Sequence, residues 1–146
     1  MTTSTGAHVD ELREWARGDL TLEAATELLI RGGFADRGWP WIQYDELARR
    51  PWVDFTSIPE RIGAKSGGEQ RFLRLIASLG ADVPVIVGDE VTGLDREHVQ
   101  PVLAAIAHAA GMSTPGRTIE QDADGFSRVA ATTAIYTWPA LVEGGE

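Results

Sequence analysis

Phe72, Leu75, Ile76 and Leu79 recur at the three-and-four spacing that lines one side of a helix, and Leu73 widens the stripe. Arg71, Arg74 and Ser78 take the opposite side, so the pattern predicts one core-facing surface and one basic, wet surface. The flanking residues agree with a helix. Ser66 stands at the N-cap position with Glu69 three residues on, the pair that makes a capping box: the serine oxygen accepts from a first-turn amide and the glutamate reaches back to the cap's own N–H. Gly80 is expected to close the helix as a left-handed stop.

The same periodicity places other elements. Val9, Leu12, Trp15 and Ala16 mark a first helix ended by Gly18, preceded by a small polar stretch, residues 1–6, that reads as disordered. Asp19 or Thr21 caps a second helix through Arg31, with Gly32-Gly33 as its stop. Val83 to Val87 is a β-branched run with the pattern of a short edge strand, since Pro84 removes a ladder donor. Val99, Val102, Leu103, Ile106 and Ala110 continue at helical spacing to Gly111, and Pro101 either starts that helix or kinks it. Phe126 to Trp138, rich in threonine and alanine, fits strand or helix. The sum is a mainly helical domain, a compact bundle of about five helices with minor short extended pieces. Residues 1–111 form its core, 112–118 a linker, and 119–146 an extension packing on the core with a mobile tail.

One segment departs from this periodicity. Between Phe34 and Phe55 the chain carries Trp39, Trp41, Tyr44, Trp52 and Phe55, with Pro40 and Pro51 barring a continuous helix. Two short extended pieces flanking a turn of helix at Asp45 to Arg49 would make a small hairpin. Large aromatics on irregular backbone are the material of binding hot spots, so these five residues are the expected contact surface for an unknown protein partner. The competing reading folds them over the helices as a satellite core.

Composition narrows the possibilities. At 146 residues and 43% apolar content, one domain can build a core without staples. With no cysteine, thiol chemistry and thiolate metal sites are excluded. A net charge of −9 opposes broad affinity for nucleic acid and suits a basic partner. No apolar run approaches the ~20 residues of a membrane span, and no secretory leader is evident, so the expected location is cytoplasmic.

Two resemblances add expectations. SGGEQRFLRLIASL, from Ser66, resembles the signature motif of ABC-type ATPases, and VPVIVGDEVTGLD is similar to their Walker B strand and D-loop. The likeness implies that Ser66, Gly67 and Gly68 touch phosphate, Asp89 holds Mg²⁺ and Glu90 is the base, acting with a partner, because no G-x-x-x-x-G-K-[ST] loop occurs. The chain as a whole resembles small acidic uncharacterised proteins of actinobacteria and their phages. Trp15 to Gly18, Ala24 to Leu29, Trp39 to Trp41 and Ser66 to Glu69 carry that likeness, which implies no activity. LTLEAATELL is also similar to the first helix of helix-turn-helix regulators, with Asp45 to Arg50 the only candidate for a recognition helix.

Catalytic sets are weak. His8, His98 and His108 show no ligand spacing with one another or with carboxylates and read as surface or helix-end residues. Asp122-Ala-Asp124-Gly125 lacks the closing ligands of a calcium loop and reads as a turn. The expectation is a non-enzymatic binding or regulatory module, phage or mobile-element related, with no catalytic residue, metal or cofactor.

Overall fold

The helix from Gly67 to Gly80, α3, forms around the capping box its sequence encodes: Ser66 Oγ accepts from Glu69 N at 3.2 Å, and Glu69 Oε1 accepts from Ser66 N at 3.3 Å. Loss of such a cap costs about 1 kcal/mol. In the computed structural model, which describes residues 2–140 with side chains from Gly6 onward, α3 buries Phe72, Leu73, Leu75, Ile76 and Ala77. Each large side chain so removed from water contributes roughly 1.5–3 kcal/mol.

The element order is α1 (Thr2–Ala16), α2 (Leu20–Arg31), β1 (Ile42–Asp45), β2 (Arg50–Val53), a 3-10 helix (Phe55–Arg61), α3, α4 (Val87–Val91), α5 (Arg96–Ala109), β3 (Gly116–Gln121) and β4 (Ser127–Thr132). Helix predominates, as the periodicity predicts. The strands are nevertheless more than minor pieces: they form two antiparallel pairs, β1 with β2 in register Ile42 to Val53, and β3 with β4 in register Gly116 to Thr132. Nor is the packing that of a plain bundle. α2 lies against both α3 and α5, whereas α1 packs on β2 as well as α2, and the 3-10 helix packs on α3. The shared core joins Leu12, Leu28, Leu29, Phe72, Ile76 and Val102 to Trp41, Val53, Phe55 and Ile58.

Several sequence expectations are corrected here. Thr2 to Gly6 belong to α1 and are not an unstructured lead; Met1 and the expected mobile tail, 141–146, lie outside the described residues. Gly80 does not adopt positive φ; α3 ends on extended Ala81, whose N–H reaches Ala77 O. Val83 to Ile86 is not a strand: the run has no sheet edge to join and leads into the short α4, where Val87 is the first helical residue. Asp45 to Arg49 is the β1–β2 turn, with Asp45 Oδ1 accepting from Leu47 N and Ala48 N, so α2 is not followed by a recognition helix. α5 runs unbroken from Arg96 with Pro101 inside it, so the carbonyl of Glu97 goes without its helical donor. The expected linker 112–118 is shorter, because β3 begins at Gly116. Asp122 closes the β3–β4 turn, accepting from Asp124 N and Phe126 N, with Gly125 at φ 85°.

Candidate functional site

The aromatic segment divides. Trp41 is fully buried and donates from Nε1 to Phe34 O at 2.8 Å; Phe55 is likewise core. Neither can meet a partner, and the expectation that they do so is overturned: hydrophobic burial claimed the aromatics nearest the helices first. Trp39 stacks on Trp41 with ring centroids 5.3 Å apart and is roofed by Lys65 Nζ, 3.9 Å from its centroid. Trp52 is half-buried. Tyr44 and Leu47 stay exposed around the β1–β2 turn.

The ATPase-like segment is differently arranged from a Walker B strand. Asp89 and Glu90 sit on the short α4, and Arg74 Nε donates to both Glu90 oxygens at 3.1 and 3.2 Å. Arg71 Nε reaches Asp89 O at 3.4 Å, so the basic side of α3, expected to be wet, instead holds α4. A hollow of about 330 Å³ beside Asp89 and Glu90 is lined by Pro84, Val85 and Ile86, and Ser66, Gly67 and Gly68 are not among its walls. Gly68 lies beside the exposed Asp95 carboxylate: a Cβ there would stand 2.7 Å from Asp95 Oδ2.

Among the histidines, His8 is buried, with Nε2 donating to Ala35 O at 2.8 Å. Asp95, Glu97 and His98 do converge, contrary to the sequence expectation, because their short spacing at the start of α5 brings one ligand atom of each within 4.8 Å of the others. His98 stacks on Phe72 at 4.1 Å, and its Nδ1 is buried 3.8 Å from Asp95 Oδ2.

Two features go beyond the sequence expectations. The first is the outer face of α5. Val102, Ala104, Ala105 and Ala107 are buried against the body, while Val99, Leu103 and Ile106 are 40%, 47% and 52% exposed. Their spacing is visible in the sequence, but it reads there as one face when it belongs to two. Ile86, Val87 and Val91 on and before α4 add exposed apolar surface just upstream.

The second is a cleft of about 380 Å³ lined by Arg13, Ala16, Arg17, Glu23, Thr26, Glu27, Arg31, His108 and Trp138. Glu27 accepts from Arg13 Nε at 2.8 Å, Arg13 Nη2 at 3.2 Å and Arg31 Nε at 2.8 Å. Burial pushes the Glu27 carboxyl up, but the hydrogen bonds from Arg13 and Arg31 outweigh it and the net displacement is below the ordinary value. The bond to Glu27 raises Arg13 in turn. Glu23 is held low, first by the Gly18 N–H and then by His108. Trp138 Nε1 donates to His108 Nδ1 at 3.2 Å; an indole N–H can only donate, so Nδ1 accepts and the ring hydrogen sits on Nε2, directed at Glu23 Oε1 2.7 Å away. Arg31 completes the wall, its guanidinium 4.9 Å from the Trp138 centroid and its Nη1 donating to Pro139 O at 2.7 Å. Only the Glu27–Arg31 spacing on α2 could have signalled this cleft, because the other contacts join residues as far apart as Glu23 and His108.

No helix among the described residues is long and apolar enough to cross a membrane. Compared with protein-family models, curated proteins and solved structures, the chain matches none.

Proposed function

We propose that the protein is a binding module without chemistry of its own, and that it receives a basic partner protein on the outer face of α5. The observation that carries this is the two-sided apolar character of α5. The side of a surface helix away from the core is normally polar, yet Val99, Leu103 and Ile106 face outward. A groove-free stripe at this spacing suits an apolar helix laid alongside it.

Charge selects the occupant. In the segment from Asp82 to Glu97, which carries α4 and the start of α5, Asp82, Asp89, Asp95 and Glu97 are exposed, against exposed Arg96 and the half-buried Arg71 and Arg74 that hold α4. A partner with a basic rim is drawn to this surface, whereas a second copy brings another −9 with it. The absence of chemistry is supported by the engagement of Ser66 in its cap and of Glu90 by Arg74.

Leu103→Glu and Ile106→Glu test the reading. Both should leave the thermal unfolding of the isolated protein unchanged and abolish capture, from cells that naturally express the chain, of a basic protein whose retention weakens with salt. Retention by the variants equal to wild type, a captured partner that is acidic, or a concentration-dependent dimer lost with Leu103→Glu would each refute it.

A further inference from the structure

We propose that the cleft between α1, α2, α5 and Trp138 binds a small planar monoanion, an aromatic carboxylate, independently of the outer face of α5. Its walls carry three guanidiniums, Arg13, Arg17 and Arg31, against two carboxylates, Glu23 and Glu27. Among the arginines and carboxylates of the lining there is thus one more positive than negative charge, and the carboxylate that balances Arg17, Glu14, lies outside it on the surface. A single negative charge neutralises the excess. A cation is repelled, and a dianion overshoots beside Glu23 and Glu27.

The shape restricts the ligand further. Trp138 offers an aromatic wall, and Ala16 and Thr26 keep the helical floor small, so a flat ring system has a surface to lie on. A volume of about 380 Å³ falls at the lower end of ligand pockets, suited to one or two fused rings with a carboxylate. The carboxylate donors are already oriented. Arg13 and Arg31 are fixed on Glu27, and Arg31 commits only Nε and Nη1 to hydrogen bonds. Arg17 is the movable one: its pair with Glu14, 2.8 Å, lies on the surface with both side chains largely exposed, and such pairs exchange easily. In the floor, Thr26 is buried with its hydroxyl lacking a hydrogen-bond partner among the described residues, a polar group the protein itself leaves unsatisfied.

Isothermal titration calorimetry of the full chain with 2-naphthoate decides the matter, with acetate, inorganic phosphate and 2-naphthylmethylammonium as comparisons. The expected result is saturable one-to-one binding of 2-naphthoate, clearly tighter than acetate or phosphate, and none of the ammonium analogue. Arg17→Gln should weaken 2-naphthoate about tenfold, the effect of one charge-assisted hydrogen bond, with thermal unfolding unchanged. Trp138→Leu, which removes the ring wall but keeps an apolar side chain against the core, should weaken it as well, with thermal unfolding of the variant followed in parallel. The proposal is overturned if wild type shows no saturable 2-naphthoate binding, if the ammonium analogue or phosphate binds as tightly, or if neither substitution changes the affinity.

Discussion

Phe55 presses on Gly80 so closely that a Cβ added to the glycine would stand 2.5 Å from the ring's Cγ and Cδ2. The ring is core and has nowhere to retreat. Alanine is the better helix former by about 1 kcal/mol, yet overpacking a filled core costs about 1–3 kcal/mol. Gly80→Ala should therefore lower stability in urea unfolding. Gly88→Ala, inside α4 with open space around it, should leave stability unchanged or raise it. Equal effects of the two would mean that propensity, not space, governs Gly80.

Trp41 is the largest fully buried side chain. Trp41→Ala should cost about 3–5 kcal/mol, and Trp41→Phe less, though it strands the Phe34 carbonyl that now accepts from the indole. Tyr44→Ala and Leu47→Ala, on exposed positions, should stay within about 0.5 kcal/mol of wild type. Denaturant midpoints for the four variants separate core from surface in the aromatic segment.

The Glu27 carboxyl gives a pH signature. Its folded value lies below the unfolded 4.5, so its contribution is fully present above 4.5 and is lost as pH falls through the lower folded value. Glu27→Gln should cost about 1–3 kcal/mol near neutrality, since Arg13 and Arg31 lose their shared anion. Urea midpoints taken at neutrality and in acid should show the difference between variant and wild type shrinking below 4.5. A constant difference would mean that the ionised form contributes nothing.

The β3–β4 hairpin stands almost wholly in solvent, with Ile119 and its cross-strand partner Val129 both exposed. A lone two-stranded hairpin is marginal in water. Hydrogen exchange should accordingly find the paired amides of β3 and β4 opening by a local route, orders of magnitude faster than those around Phe72 and Ile76 in α3. Protection equal to that of α3 would indicate that the hairpin unfolds only with the core.

The sequence is most legible where a signal is local. The Ser66–Glu69 box and the apolar side of α3 need only neighbours within one or two turns and stand in the structure as read, and of the two α2 caps the sequence allows, Asp19 and Thr21, it is Asp19 that forms. The errors arise where a distant residue decides. Gly80 reads as a stop because helices often end on glycine, but its role is to admit Phe55 from 25 positions away. Val83 to Val87 has strand propensity and no strand to pair with, so propensity yields to the Arg74–Glu90 bridge that fixes α4. Among the candidate partner contacts, Trp41 and Phe55 go to the core because the body of α2 and α3 offers them a dry wall, which no count of aromatics reveals. The cleft is illegible for the same reason: its lining is gathered from α1, α2, α5 and Trp138, and proximity across that distance is a property of the tertiary fold.

The excursion that contains β3 and β4 leaves and re-enters at one point, where Ile135 N donates to Met112 O at 2.9 Å, and Trp138 then anchors the returning strand of chain. Because the two ends meet at this bond, and Ser113 still contacts His108 on α5, residues 114–134 should tolerate exchange as a unit. A foreign loop or tag grafted there should inherit that footing, and a short glycine bridge in place of the insert should leave the urea midpoint of the core unchanged.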